Sequence, residues 1–218
     1  MTERLYSIYR IPIKEVNGNS YIVSRRNEAI VIDTGVPGHA EEIAKAAEEI
    51  GVKIIGIIVT HYHADHTGSL KDLKDLTGAK VYAHELDAVY IAGKEKPPLP
   101  QTVPKEVLNA YNYLKKVEPD YLLKDGDRVF GFKVIHVPGH TPGSIALYDG
   151  KVLFAGDNLN NREGKIEGTP AIFDWNNNLA KESVKKLLEL DFEMLFPGHG
   201  EPILEKASEL ARSAIKLA

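Results

Sequence analysis

The sequence predicts an α+β fold of four layers, in which two β-sheets pack face to face and helices cover their outer sides. The prediction rests on an internal duplication, because two segments each show a β-hairpin, a helix and a strand that ends in histidine. Ser20 to Asp33 and Ser144 to Asp157 are both intervals of 13 residues from the start of a hairpin to an aspartate. Each sheet has one apolar face to bury against the other, so the strand ends of both halves should meet at one rim.

The first repeat begins with apolar strands at residues 20–24 and 29–32, joined by a polar turn. A helix is predicted over residues 40–50, with Gly51 as its stop signal. The β-branched run at residues 54–59 then indicates a buried strand, which leads directly to His61.

The second repeat follows the same plan. Strands at residues 144–148 and 151–154 are joined by an Asp-Gly turn, a helix covers residues 179–190, and a strand at residues 193–196 leads to His199. Between the repeats, the pattern predicts helices at residues 70–76, 86–91 and 105–116 and a strand at residues 80–83.

Two long connections should lie near the rim. Residues 93–104 contain four prolines, and residues 158–178 are rich in Asn and Gly and contain Phe173 and Trp175. Long loops beside a site usually shape substrate access, although an ordinary surface excursion is equally compatible with either loop. Leu99, Phe173 and Trp175 are candidate substrate contacts, and packing into the core is the alternative.

Composition bounds the class of protein. The 218 residues are expected to form a single domain, residues 1–218. A formal charge of −4, from 31 acidic and 27 basic residues, does not favour nucleic acid or an anionic membrane, so a small-molecule substrate is expected. The N-terminal 16 residues interleave charged and apolar side chains, unlike a signal peptide, and no stretch reaches membrane-spanning length, so a cytoplasmic location is expected.

The segment at residues 60–68 carries the strongest chemical signal. It places His61, His63, Asp65 and His66 within six positions, directly after a buried strand. Imidazole suits zinc and iron, and carboxylate adds an anionic ligand, so this pattern indicates a metal site. A surface histidine cluster is the alternative, but no polar run surrounds the segment. The chain has no cysteine, so His and Asp or Glu must supply every protein ligand.

Three further segments at strand ends carry metal-type residues. They are Val-Pro-Gly-His-Thr-Pro-Gly-Ser at residues 137–144, Phe-Ala-Gly-Asp at residues 154–157 and Phe-Pro-Gly-His-Gly at residues 196–200. With the first motif they resemble the metallo-β-lactamase superfamily across nearly the whole chain. The resemblance implies an αβ/βα sandwich, which agrees with the duplicated layers.

The resemblance also implies a ligand set for two divalent ions, most readily zinc, with iron or manganese also compatible. His61, His63 and His140 would hold one ion, and Asp65, His66 and His199 the second, with Asp157 bridging them. Seven donors are too many for one tetrahedral zinc. Asp65 would also orient a metal-bridged hydroxide, and Asp33 would orient the histidine loop from behind. His39 is expected at the surface, His84 at a helix entry, and His136 half-buried in a strand.

The leading hypothesis is a dinuclear-metal hydrolase that cleaves a small thioester, lactone or other ester with a metal-bridged hydroxide, similar to glyoxalase-II-like enzymes and small lactonases. Hydroxyacylglutathione hydrolases carry a Gly-Cys-Gly type segment after the bridging aspartate and a C-terminal helical region. This chain has Asn158-Leu159-Asn160 at that point and about twenty residues after His199, which disfavours glutathione thioesters.

Other classes remain as alternatives. Zinc β-lactamases mostly use a cysteine ligand and are exported, and nucleases of the superfamily usually add a substrate-binding arm or domain. A persulfide dioxygenase with one ferrous ion is the main alternative, and a phosphodiesterase or nuclease is less favoured. A metal-binding interaction module without turnover ranks last, because no ligand is missing. Substrate, native metal and oligomeric state stay open.

Overall fold

The computed structural model describes residues 6–100 and 103–215 and contains two main sheets and a small separate hairpin. The strands are β1 Ser7–Ile13, β2 Gly18–Arg25, β3 Glu28–Ile32, β4 Lys53–Ile58, β5 Lys80–His84, β6 Tyr121–Leu123, β7 Arg128–Val129, β8 Phe132–His136, β9 Ile145–Tyr148, β10 Val152–Gly156, β11 Asn160–Arg162, β12 Lys165–Glu167 and β13 Met194–Pro197. The helices are α1 Ala40–Glu49, α2 Ala64–Thr67, α3 Leu70–Thr77, α4 Glu85–Ile91, α5 Lys105–Ala110, α6 Asn177–Leu188 and α7 Ala207–Ala214.

The two main sheets repeat one topology. The first sheet has the order β1-β2-β3-β4-β5-β6, and the second has the order β13-β10-β9-β8-β7. In the first, β2 and β3 form an antiparallel hairpin, and β3 then pairs in parallel with β4 after helix α1. In the second, β9 and β10 form the hairpin, and β10 pairs in parallel with β13 after helix α6. The predicted duplication is therefore confirmed.

Three buried clusters separate the layers. Between the sheets lie side chains such as Ile58 and Phe154. On the outer side of the first sheet, Ile57 packs with helices α1 and α3, and on the outer side of the second, Leu195 packs with α6 and α7. Consecutive residues of a strand point to opposite faces. Ile57 and Ile58 are therefore buried in different layers, which explains why the run through β4 is apolar without alternation.

Several connecting segments differ from the predictions. The pattern did not indicate strand β1, which pairs along β2, or the short strands β6 and β7. The helix predicted over residues 105–116 was wrong in length, because α5 ends at Ala110 and Tyr111–Tyr113 form a tight 3-10 turn. This turn places the Tyr111 ring 6.4 Å from the Tyr62 ring, between centroids.

The second long connection is not simply a loop. Residues 158–178 contain the β11–β12 hairpin, a 3-10 turn at Ala171–Phe173 and the start of α6 at Asn177. Part of the first connection, residues 101 and 102, lies outside the described residues. Within residues 6–100 and 103–215, no helix has both the length and the apolar character needed to cross a bilayer.

Candidate metal centre

The structure brings the predicted donor residues to one rim of the sandwich. His61, His63, Asp65 and His66 follow β4, and His140, Asp157 and His199 follow β8, β10 and β13. Most of these side chains are buried, and Asp65 is the most exposed, at 29% of its side-chain surface. The carboxyl ends of the duplicated strands therefore converge as the packing of two equivalent sheets requires.

The donor atoms form three overlapping groups. These groups are His61 with His63 and His140, His61 with His66 and Asp157, and Asp65 with His66 and His199, and within each group the donor atoms lie within 4.8 Å of one another. The Nε2 atoms of His61 and His140 are 3.2 Å apart. Asp157 reaches both ends of the site, because its Oδ2 lies 3.5 Å from His140 Nε2 and 3.3 Å from His199 Nε2.

Two buried polar atoms in this cluster are left without hydrogen-bond partners among the described residues. They are Nε2 of His66 and Oδ1 of Asp157, which lie 3.3 Å apart. A buried polar atom without a partner is costly and often marks an ion site. Imidazole nitrogen and carboxylate oxygen together suit zinc or iron. The residues present therefore fit a metal centre.

The charges in the site also favour cations. Burial alone would lower the pKa of His66, but Asp157 and Asp33 raise it well above the usual value. Burial likewise opposes protonation of His199, yet Asp157 and Asp65 raise its pKa to about 10. Burial would raise the pKa of the Asp65 and Asp157 carboxyls, but His66 and His199 hold both below their usual range.

Two histidines of the same motif behave differently. Burial lowers the pKa of His61 and His63, and the neighbouring histidines add to the effect. Neutral imidazole is the form that binds a metal. The cluster thus places two neutral nitrogen donors, His61 and His63, near ionised carboxylates, a combination suited to cations.

Asp33 lies behind the histidine loop. Its Oδ1 accepts a hydrogen bond from Thr60 N at 2.8 Å, and its Oδ2 accepts from Thr60 Oγ1 at 2.7 Å. The same Oδ2 lies 2.8 Å from Nδ1 of His66, and Thr60 Oγ1 lies 3.0 Å from Nδ1 of His61. One buried carboxylate therefore orients two imidazoles, directly and through a threonine.

Other supporting groups were not found from the sequence. Asp174 Oδ1 lies 3.2 Å from His140 Nδ1, in the loop before α6. Asn160 Oδ1 accepts a hydrogen bond from His199 N at 3.0 Å, and its Nδ2 donates to the Asp157 carbonyl at 3.1 Å. The His199 ring contacts the Val16 carbonyl at 3.0 Å. The contact between Asn160 and Asp157 is local, but the others join residues at least 34 positions apart, so no spacing in the sequence predicts them.

Asp87 is a further buried carboxylate beside the site, with 1% exposure. Burial raises its pKa to about 7, and hydrogen bonds from Thr141, Gly143 and Tyr62 oppose that rise.

Gly198 is sterically required beside the cluster. A Cβ at Gly198 would lie 2.1 Å from Asp157 Oδ1, so any larger residue would displace that carboxylate.

The candidate substrate contacts divide into two kinds. Trp175 is 41% exposed and its backbone N–H donates to the His140 carbonyl at 3.1 Å, so it is tied to the rim but is not a core residue. Phe173 is half-buried in the same loop. Leu99 instead packs against the outer cluster of the first sheet.

The remaining histidines are mostly as expected. His84 caps helix α4, with its ring nitrogen accepting from Leu86 N at 3.3 Å, and His136 is half-buried and stacks on it at 4.1 Å between centroids. His39 was predicted to lie at the surface, but its side chain is less exposed than that prediction implies. Its side chain is 14% exposed, because Glu15 and Glu42 flank it as ion-pair partners.

The family model of the metallo-beta-lactamase superfamily matches residues 13–199. The chain therefore belongs to the metallo-beta-lactamase superfamily, and with it to the metal-dependent hydrolases.

Relatives are found in bacteria, two of them matched over most of their length. "Uncharacterized protein YobT" of Bacillus subtilis (strain 168) is 32% identical, and the match covers 92% of this chain and 90% of that protein. "Probable metallo-hydrolase YflN" of the same organism is 30% identical, covering 91% and 87%. A hydroxyacylglutathione hydrolase of Hamiltonella defensa subsp. Acyrthosiphon pisum (strain 5AT) is 28% identical, covering 88% of this chain and 66% of that enzyme.

Solved structures share the architecture. TTHA1623 in a di-iron-bound form aligns with a TM-score of 0.74 at 27% identity, covering 95% of this chain and 98% of that one. The BLEG-1 B3 metallo-beta-lactamase aligns with the same TM-score at 24% identity, covering 95% and 97%. The expected αβ/βα sandwich is thus confirmed.

Proposed function

We propose that this protein is a dinuclear-metal hydrolase that cleaves a small thioester, lactone or other ester. The observation that carries the proposal is the position of Asp157, whose carboxylate reaches His66, His140 and His199 at 3.3 to 3.5 Å. A carboxylate that touches donors from both ends of a cluster is suited to bridge two cations. The superfamily match and the metallo-hydrolase relatives support the same reading.

The proposed ligand roles follow the two ends of the cluster. His61, His63 and His140 would hold the first ion, and Asp65, His66 and His199 the second. Zinc is the metal we propose, although the di-iron form of TTHA1623 makes iron a direct competitor. When bound, two such ions supply a hydroxide nucleophile at neutral pH and a Lewis acid for the substrate carbonyl.

The protein groups then supply orientation. Asp65 is kept ionised by His66 and His199 and is partly exposed at the rim, so it can orient the nucleophile by accepting a hydrogen bond. Asp33 and Asp174 fix the rings of His66 and His140 from behind. Trp175, whose backbone N–H donates to the His140 carbonyl, and Phe173, two residues earlier, would offer apolar surface for the acyl or ring portion of the substrate.

The hydroxyacylglutathione hydrolase relative supports a thioester among the candidate substrates. This chain has Asn158-Leu159-Asn160 after the proposed bridging aspartate, where those enzymes have a Gly-Cys-Gly type segment. Asn160 is engaged in positioning Asp157 and His199, so this stretch supports the metal ligands instead of a glutathione moiety. We therefore propose a smaller acyl substrate.

Metal analysis combined with a substrate panel tests the proposal. Protein produced without added metal should contain about two zinc ions per chain and should hydrolyse members of a panel of thioesters, lactones and phosphodiesters. Asp157→Ala should lose metal and nearly all turnover, whereas His39→Ala, outside the cluster, should keep both. One iron per chain with oxygen consumption on a persulfide would instead establish the dioxygenase. Full metal content in Asp157→Ala would refute the bridging role.

A further inference from the structure

A buried carboxylate outside both repeats connects the loops of the first proposed metal site. Asp87 lies on helix α4, in the segment between the repeats, and is 1% exposed. Its Oδ2 accepts hydrogen bonds from Tyr62 N at 2.9 Å and Thr141 Oγ1 at 2.7 Å. Its Oδ1 accepts from Gly143 N at 2.6 Å.

These donors come from two loops. Tyr62 stands between His61 and His63, and Thr141 directly follows His140. One carboxylate therefore joins, from behind, the loops that carry all three donors of the first proposed site. A carboxylate is buried at a high cost unless several donors satisfy it, and here three donors do so.

The second loop is shaped to reach this carboxylate. A Cβ at Gly143 would lie 2.6 Å from both the backbone nitrogen and Oδ1 of Asp87, so glycine permits the close approach. The Thr141 hydroxyl is buried and also lies 2.8 Å from Ser144 Oγ. Two residues of the Pro-Gly-His-Thr-Pro-Gly-Ser motif thus have a common partner in Asp87.

The second proposed site depends on other groups. His66 is oriented by Asp33, and His199 is held by the Val16 carbonyl and by Asn160. None of these supporting hydrogen bonds involves Asp87. Asp33 also reaches His61 through Thr60, so it serves both ends, whereas the hydrogen bonds to Asp87 serve the first end alone.

We propose that Asp87 is a positioning residue that sets the spacing between the His61–His63 loop and the His140 loop, and that it supports the first metal site selectively. The proposal rests on the ligand assignment given under Proposed function. Removing the carboxylate leaves buried donors on both loops without an acceptor, so the loops move to satisfy them. The His61 and His140 Nε2 atoms are only 3.2 Å apart, which makes their site sensitive to such movement.

Stepwise metal binding tests the selectivity. Metal-free protein is titrated with Zn²⁺ against a competing chelator, while the ring ¹⁵N shifts of the histidines report which imidazoles bind at each step. Asp87→Asn, which keeps the side-chain volume, should weaken binding at His61, His63 and His140 by about 10- to 100-fold, the range expected for a group behind a ligand. Binding at His66 and His199 should change far less.

Matched variants separate positioning from general destabilisation. Thr141→Val removes the contacts of its hydroxyl with Asp87 and Ser144 Oγ but keeps the Asp87 carboxylate, and should weaken the same site to a smaller degree. Asn160→Ala should instead weaken metal binding mainly at the second site, because Asn160 Oδ1 accepts a hydrogen bond from the His199 backbone N–H. Leu73→Ala removes a buried side chain of the outer cluster that is neither a proposed ligand nor a partner of Asp87, and should lower stability without site-selective metal loss.

The outcomes are distinguishable. Selective weakening in Asp87→Asn supports the proposal. If the wild type binds two ions and Asp87→Asn weakens both sites equally, or weakens neither, the role of Asp87 is overturned. The dinuclear assignment then stays intact. A wild type that binds a single ion overturns both. Ester turnover enters none of these measurements.

Discussion

At the residue scale, the environment decides what each histidine can do. His63 and His66 are three positions apart in one motif, yet their pKa values shift in opposite directions. Burial dominates at His63 and keeps its ring neutral. At His66, Asp157 and Asp33 overcome burial and favour positive charge. The residue type therefore supplies a nitrogen donor, and burial together with the surrounding carboxylates sets the pKa of that donor.

Trp175 gives a prediction about substrate choice. The residue is 41% exposed while its backbone N–H donates to the His140 carbonyl, so Trp175→Ala should remove substrate contact without opening the core. We expect a several-fold rise in KM for bulky acyl substrates, with metal content unchanged and stability altered by less than about 1 kcal/mol. Steady-state kinetics and urea denaturation measure both. A loss of about 3–5 kcal/mol, typical of a buried aromatic, would place the ring in the core instead.

His84 gives a prediction about pH. Burial, with the nearby His136 adding to it, lowers the pKa of His84 to about 4, although Glu85, Asp125 and Asp127 oppose the shift. The unfolded chain has its usual pKa near 6.5, so it binds a proton that the folded chain refuses. The contribution of the neutral His84 ring to the free energy of unfolding is thus fully present above about pH 6.5. It is lost as the pH falls toward 4.

The pH effect can be isolated by replacing the ring. His84→Asn keeps a good helix cap but cannot titrate. Between pH 7 and pH 4.5, metal-free wild type should lose on the order of 2 kcal/mol more unfolding free energy than His84→Asn. Urea denaturation in chelator at both pH values measures the difference. Identical losses in the two proteins would show that His84 does not contribute.

At the element scale, helix α6 and the loop before it support the His140 loop through hydrogen bonds. Asn176 caps the helix by accepting from Asn178 N and Leu179 N, and its own N–H donates to the Gly139 carbonyl. Asp174 and Trp175 precede it and contact His140. The start of one helix therefore positions a proposed metal donor that is more than thirty residues earlier in the chain.

Gly139 tests this contact between helix and loop. Its φ is +130°, and a Cβ there would lie 2.0 Å from Ala180 N. Gly139→Ala should therefore cost about 2–4 kcal/mol and displace His140, with loss of bound zinc. Gly150→Ala is the matched control, because its φ is +100° but no atom lies within 4 Å of the added Cβ.

Urea denaturation and metal analysis compare the two glycine variants. Gly150→Ala should show only the backbone strain, about 1–2 kcal/mol, with full metal content. If both variants lost equal stability and kept their metal, the contact between α6 and the His140 loop would be irrelevant to the site.

At the scale of the whole molecule, the proposed metal centre joins the two repeats. Four of its donors follow the first sheet and three follow the second, across a shared core that includes Phe154. Bound ions would therefore link the two halves by coordination as well as by packing. Any species that binds the folded state alone raises its stability by mass action.

Chelation tests this linkage. Free zinc at about 100 times its Kd contributes about 2.7 kcal/mol per site, which corresponds to roughly 5–10 °C in Tm for a chain of this size. Removing metal from wild type should lower Tm by at least that amount, and adding zinc back should restore it. Asp157→Ala should show little response to either treatment. A wild-type Tm that ignores chelator would argue against ions shared by the two halves.

The sequence by itself determined the parts of the protein that are written locally. The β-branched run before His61 predicts a buried strand because β-branched residues fit strands and both of its faces are covered. The equal spacing of the two hairpins predicts two equivalent layers. The donor residues lie at strand ends within short motifs. Their residue types therefore predict metal binding without knowledge of how the strands are arranged.

The tertiary structure decided most of what supports those donors, and Asp33 alone was expected beforehand, through the family resemblance. Asp87 is 25 positions from Tyr62 and 54 from Thr141, and Asp174 is 34 from His140. The partner of each buried carboxylate is selected by packing of the two sheets and leaves no periodicity in the chain. Strand β1 was not predicted for a related reason. Its pairing with β2 defines it more than the hydrophobic pattern of its own residues does. Hydrogen bonds between distant segments are properties of the assembled layers, which is why the donor motifs could be predicted from the sequence and most of their supporting contacts could not.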